Sequence, residues 1–263
     1  MSQRVGSDQP PSLVPSRRFG LRTFARVAAD AAVEALWPTR CVSCDMPGEL
    51  ICEDCRANMP WIDQHWACPI CGAPFGWLTC TSNSCDESWE PRATVCALGF
   101  GQTASQMVAC LKDRHELRLA SVNAAAMACA LDEARAWPAR DGRPRFDEEL
   151  TDALCFVPAT AEAYLRRGFD HMELVSRELS ALLGLPLADV LKRSTGLDQR
   201  ALGQDERAQN LMGSVSVIED VAGMRFLLVD DVITSGASMR GCTAALLSRG
   251  AASVTCCALT RVW

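Results

Sequence analysis

Positive charge is what this sequence has least to spare. Its 263 residues carry 26 lysines and arginines against 32 aspartates and glutamates, a net charge of −6. That balance excludes the bulk positive field of a strong duplex-DNA binder. Residues 41–90 hold eight acidic residues and one basic, Arg56, for a net of −7. Residues 151–263 hold eleven basic and thirteen acidic residues, which leaves room only for a local basic groove. No window approaches the roughly 18 apolar residues of a membrane span. The arginines Arg4, Arg17, Arg18 and Arg22 precede no apolar core with a small-residue cleavage site, so no signal peptide is read. The pattern G-x-x-x-x-G-K-[ST] is missing too, which removes support for a nucleoside triphosphatase. The three histidines, His65, His115 and His171, form no triad with a serine or cysteine, and each reads as a surface or packing residue.

Cysteine, by contrast, is abundant. Fifteen thiols, an odd number, in a chain without an export signal disfavour a disulfide framework and favour metal binding or reduced core thiols. Cytoplasmic residence is the matching expectation. Cys41-x2-Cys44-x7-Cys52-x2-Cys55 supplies two paired thiolate hooks suited to a tetrahedral Zn²⁺. Cys68-x2-Cys71-x8-Cys80-x4-Cys85 is a second, less regular set. Spacing leaves open whether the hooks interleave and whether one ion or two are held. Redox-active pairs are the alternative, but no strand-then-helix context surrounds these motifs. Four thiolates leave no open position for water, so the metal role is structural. Cys96, Cys110, Cys129, Cys155, Cys242, Cys256 and Cys257 lie in apolar surroundings and are expected in the core. Trp61, Trp66, Trp77 and Trp89 lie in or beside the cysteine-rich segment and are expected to supply the apolar area that a small zinc fold lacks.

Three regions follow. Residues 1–23 read as a disordered tail; 24–90 as a short amphipathic helix (24–36) and a zinc module; 91–263 as a larger α/β domain. In that domain the runs ATVCALGF, ALCFVP, RFLLVDD and SVTCCALTR are strand-like. Helical spacing links them, with Met172, Val175, Leu179, Leu182 and Leu183 on one face of one helix, and Met239, Cys242, Thr243 and Leu246 on one face of another. Alternation of strand and helix predicts a parallel sheet with helices on both faces, whose ligands sit beyond the strands' carboxyl ends.

The run FLLVDDVITSGASM ends at that position. A strand leading into a helix start exposes unpaired amides in the positive end of the helix dipole. Gly236 permits close approach, and Thr234, Ser235 and Ser238 offer hydroxyls, so the turn forms a cradle for a phosphate monoester. Asp230 and Asp231 accept hydrogen bonds and suit vicinal sugar hydroxyls, with Mg²⁺ nearby to offset charge. A ribose 5-phosphate bearing an anionic leaving group satisfies both halves. The competing reading is a capped turn with a solvated aspartate pair. GFGQTA (99–104) formally matches a dinucleotide fingerprint, but no acidic residue follows at the right distance.

LLVDDVITSGAS resembles the phosphoribosyl pyrophosphate loop of type I phosphoribosyltransferases. The resemblance implies that Asp230 and Asp231 hold the ribose hydroxyls and that Thr234, Ser235, Gly236, Ala237 and Ser238 hold the 5′-phosphate. The wider chain, from about Leu36 to Arg261, resembles the ComF family, competence-associated proteins joining a cysteine-rich zinc module to a phosphoribosyltransferase-like domain. LWPTRCVSC, RRGFDHMELVSREL and DQRALGQDERAQNLMGSV carry that likeness. The family usually shows Asn and Gln where this chain has Asp170 and His171, and the aspartate adds negative charge near a pyrophosphate site. By the same resemblance Lys112 meets pyrophosphate, although a solvated helix face also explains it; Arg166 and Arg167 are further candidates because they precede a glycine in a loop near the strand ends. Two functions are implied: Mg²⁺-dependent transfer of ribose 5-phosphate to an unidentified acceptor, or a non-catalytic factor binding single-stranded DNA with the DNA-uptake machinery.

Overall fold

A strand covered on both faces needs apolar side chains at nearly every position, and the four runs singled out above meet that demand. The computed structural model describes residues 38–83, 85, 89–193 and 215–263. The expected tail, the 24–36 helix and nearly all of the 198–215 motif lie outside the described residues. Among them the strands are β1 (Ala93–Gly99), β2 (Ala153–Phe156), β3 (Leu191–Arg193), β4 (Val215–Val217), β5 (Arg225–Ile233) and β6 (Ser253–Arg261). The helices are α1 (Glu53–Ala57), α2 (Gln102–Asp113), α3 (Leu119–Ala134), α4 (Ala161–Arg167), α5 (His171–Leu183) and α6 (Ala237–Ser248). Strands β1, β6, β5 and β2 lie side by side in that order, all parallel, while β3 and β4 form a separate antiparallel pair.

Period-two alternation sorts the sheet's side chains into two cores. Leu227, Val229, Cys257 and Leu259 face α2, α3 and α5. Phe226, Leu228, Cys256 and Ala258 face α6. Burial of each large apolar side chain contributes roughly 2 kcal/mol. The α6 side is only partly covered by a helix. Ile62, Ala67, Cys68, Cys71, Ala73 and Trp89 of the cysteine-rich segment complete it. The first cysteine hooks sit on the opposite core, where Ile51 and Met59 pack with α2 and α3. The zinc module therefore clasps the sheet from both sides.

Several expectations need correction. Leu182 is 57% exposed, because α5 buries the narrower stripe of Met172, Val175 and Leu179. Cys129 is exposed on α3 rather than in the core. Trp89 is fully buried, yet Trp61, Trp66 and Trp77 are 46%, 45% and 38% exposed. The ribbon's interior is instead filled by its own small residues and thiols, so these rings cover its outside. The 137–149 segment serves as a clamp. Arg145, fully buried, donates from Nη1 to Gln64 O (2.6 Å) and from Nη2 to Ala67 O (3.1 Å), and Arg140 donates to Trp89 O (2.6 Å).

Replacing Arg145 with methionine keeps the apolar stem and strips these carbonyls of their donor. Arg145→Met is expected to lower stability by about 3 kcal/mol, read as a shifted urea midpoint. An unchanged midpoint would show that the clamp carries no load.

Candidate functional site

The aspartate pair does not lie in the turn. Strand β5 runs through it, pairing Asp230 with Ala258 and Val232 with Thr260, and only then releases the chain at Thr234. Neighbouring strand residues project to opposite faces, which relieves much of the repulsion between the two acids. Asp231 follows Leu227 and Val229 toward α2 and α5. Lys112 Nζ donates to Asp231 Oδ2 at 2.7 Å, and His171 Nε2 meets the same oxygen at 2.9 Å. A carboxylate only accepts, so the imidazole donates from Nε2. Its Nδ1 then accepts from Arg167 Nη1, 3.4 Å away.

Burial alone would raise the Asp231 carboxyl. The His171 hydrogen bond and the Lys112 charge overcome it and hold the group well below the usual carboxylate range. Asp230 faces the other way and is pushed well above that range, first by burial and then by the charge of Asp231. The pair thus splits into one firmly ionised acid and one that favours its neutral form.

Beyond the strand, Gly236 takes a left-handed conformation (φ 77°) and caps α6. Two constraints make it glycine, for an added Cβ would also lie 2.7 Å from Trp89 Cη2 and closer still to Cζ2. Among the described residues, the amides of Thr234, Ser235, Gly236 and Ser238 donate to no main-chain oxygen. Together with the Ser235 and Ser238 hydroxyls they surround a hollow of about 60 Å³ bordered by Asp230. This hollow adjoins a 290 Å³ cleft that reaches Lys112, Arg167, Arg193 and both aspartates.

Of the arginines named from the sequence, Arg167 enters this cleft. Its side chain is 7% exposed and its buried Nε has no hydrogen-bond partner. Arg166 is 65% exposed, points toward Asp113 and does not line the cleft. Two residues missed by sequence reasoning complete the set. Arg193, on β3, donates from Nη2 to Ser238 Oγ at 3.0 Å, and its Nε is also unpartnered. His171, read as a surface or packing residue, is 6% exposed beside the acid pair. Its place at a helix start after Arg-Gly-Phe-Asp was the available signal. Asp170 is not a stray charge. It caps α5 through Met172 N (2.8 Å) and takes Ala159 N (2.7 Å) on its second oxygen.

The cysteines gather as two sets without interleaving: Cys41, Cys44, Cys52 and Cys55, and Cys68, Cys71, Cys80 and Cys85. Within each set all ligand atoms lie within 4.8 Å of one another. Four sulfurs about 2.3 Å from a tetrahedral zinc ion stand about 3.8 Å apart, so both sets fit. Burial would push the Cys41 thiol up, but the Cys52, Cys44 and Ser43 amides bring it down to about 6. Cys71 is drawn to about 4, chiefly by the hydrogen bond from Cys68 and further by Arg261.

Comparison with known proteins matches this arrangement. Residues 32–96 match the double zinc ribbon domain and residues 164–262 match the phosphoribosyl transferase domain. The DNA utilization protein YhgH of Salmonella typhi is 28% identical over 234 residues, covering 82% of this chain and 98% of that protein. Competence protein F of Haemophilus influenzae is 31% identical over 127 residues, 46% of this chain and 56% of that protein. These matches bear out the resemblance to the ComF family. A solved purine phosphoribosyltransferase from Pyrococcus horikoshii Ot3 aligns with 54% of this chain and 83% of its own length, at 16% identity and a TM-score of 0.32. Among the described residues no helix is long and apolar enough to cross a membrane.

Two measurements follow from the geometry. Metal analysis is expected to find two zinc ions per chain, falling to one in Cys85→Ser; any other count breaks the pairing of sulfurs given above. Asp230→Asn is expected to be more stable than the parent. A carboxyl whose folded pKa is raised loses stability as pH climbs from its unfolded value toward the folded one. The advantage of Asp230→Asn in thermal unfolding should therefore be larger at pH 7.5 than at pH 5.5.

Proposed function

We propose that the cleft binds phosphoribosyl pyrophosphate with Mg²⁺ and transfers its ribose 5-phosphate to an acceptor. One observation carries this reading: the amides of Thr234, Ser235, Gly236 and Ser238, which donate to no main-chain oxygen, lie next to an acid pair, and three buried or half-buried cations line the same cleft. Phosphoribosyl pyrophosphate carries a monoester, vicinal hydroxyls and a pyrophosphate, one group for each of these features.

In this reading Thr234, Ser235, Gly236, Ala237 and Ser238 hold the 5′-phosphate at the start of α6. Asp230 and Asp231 accept from the ribose hydroxyls. Lys112, Arg167 and Arg193 face the pyrophosphate, and the unpartnered Nε atoms of the two arginines gain acceptors there. When bound with the substrate, Mg²⁺ would offset the negative charge of the pyrophosphate. The bond from ribose C1 to the pyrophosphate oxygen breaks with its electron pair on pyrophosphate, and a bond to the acceptor forms. The protein's part is fixed charge: basic residues hold the leaving group while positive charge grows on the ring, which Asp230 and Asp231 border.

A second reading has its own observation. Trp61, Trp66, Phe75 and Trp77 stand 38–79% exposed on the ribbon, and such rings stack on single-stranded bases. The relatives' names, competence protein F and DNA utilization protein, point the same way. Against it stands the −7 charge of residues 41–90, which repels phosphates. Both functions can share one chain.

Calorimetric titration with phosphoribosyl pyrophosphate and Mg²⁺ is expected to show one site. Arg167→Ala should weaken it by about tenfold or more, the loss of one desolvated ionic contact. No heat of binding with the parent protein would reject the reading. Anisotropy with single-stranded DNA is expected to fall with added salt if the second function is present, and a flat signal removes it.

A further inference from the structure

Arg261, the last residue of β6, is fully buried yet belongs to neither the cleft nor the cysteine ligands. Its guanidinium stands between them. Nε donates to Cys71 O at 2.9 Å, on a residue of the second cysteine set. Nη2 donates to Ser82 Oγ at 3.0 Å, between Cys80 and Cys85. Nη1 donates to Ile233 O (3.2 Å) and Thr234 O (2.8 Å), the residues where β5 opens into the loop, and also to Val262 O. One side chain therefore ties the second cysteine knuckle to the entrance of the phosphate loop. Trp89 adds a steric contact at the loop's other end, against Gly236.

We propose that Arg261 is a positioning residue through which the second zinc ribbon holds the phosphate loop in its anion-ready shape. The first ribbon does not share this role. Its contacts with the domain, among them Ile51, Met59, Ser43 to Thr103 (2.8 Å) and Arg118 to Thr39 (2.8 Å), lie on the α2 and α3 side. The physical basis is the cost of a buried cation. A guanidinium removed from water must keep every N–H on an acceptor, so it fixes the carbonyls around it as firmly as they fix it. Cys71 and Ser82 keep their places because the thiolates beside them are stapled to one ion. Four thiolates around zinc also carry a net negative charge, the counter-charge a buried arginine needs. With the staple open, the knuckle's carbonyl and hydroxyl leave, the guanidinium reorients, and Ile233 and Thr234 lose their tether. What the loop binds rests on the function proposed above; the coupling itself does not.

The test uses the full chain and reads zinc content, hydrogen exchange and calorimetric affinity for phosphoribosyl pyrophosphate with Mg²⁺. Arg261→Lys is expected to keep two zinc ions, leave exchange in β1 unchanged, and speed exchange of the Arg240 and Val262 amides by about tenfold. These amides are bonded to Gly236 O and Ile233 O and so report the loop's two ends. Cys85→Ser should lose one zinc ion and speed the same amides, whereas Cys44→Ser should lose one zinc ion and leave them at parent rates. Parent-like exchange in a zinc-replete Arg261→Lys protein would overturn the proposal, as would equal acceleration by Cys44→Ser. Should Arg261→Lys lose β1 protection as well, the contrast between the two cysteine variants decides. Absence of ligand binding by the parent protein would reject the substrate reading alone, since exchange is measured without ligand.

Discussion

The hydrogen-bonded ion pair between Asp231 and Lys112 organises the carboxyl edge of the sheet. It joins β5 to α2 at 2.7 Å across 119 residues of sequence, and His171 brings α5 to the same oxygen. A lone carboxylate at 9% exposure would be costly, and two donors from two helices make it tolerable. Asp230 has the opposite character, first because it is buried and then because the Asp231 charge stands one residue away, so its neutral form is favoured. That split keeps the total negative charge at the carboxyl edge low.

The zinc ribbons solve a packing problem that the sheet creates. A four-stranded parallel sheet exposes two apolar faces, and α6 alone does not span the one opposite α3 and α5. The second ribbon fills the remainder with Cys68, Cys71 and Ala73 against Cys96, at the expense of needing a metal to hold its own shape. Glycine at position 72 records how close this approach is, since an added Cβ would sit 2.5 Å from Cys96 Sγ. Metal binding and domain folding are consequently coupled. The ribbon has no separate core that could persist while the sheet unfolds.

Much of this was legible in the sequence for a simple reason. Strands buried on both faces cannot hide among polar residues, so β1, β5 and β6 appear as runs of apolar letters, and cysteine hooks declare themselves by spacing. The strand-to-helix turn at 234–236 is local chemistry and was equally readable as a turn. What the sequence withheld is what chain closure creates. Arg193 meets Ser238 across 45 residues, His171 meets Asp231 across 60, and Arg261 meets Cys71 across 190. No periodicity marks such residues. The ribbon tryptophans misled for the opposite reason: apolar content was taken to mean burial, although a metal-stapled fold has its interior occupied already.

The two ribbons also stand in different relations to the cleft, and this bears on why they travel with such a domain. The first packs on α2, whose last turn carries Lys112; the second packs beneath the turn that opens α6. Each wall of the cleft thereby rests on its own cysteine set. A cleft built only from strand ends and loops has walls that move independently, because short loops make few buried contacts of their own. Anchoring both walls to these modules fixes the distance between Lys112 and the turn at 234–238. On this view the ribbons are part of the site's architecture, and their acidic outer surface is the side left over once that internal work is done.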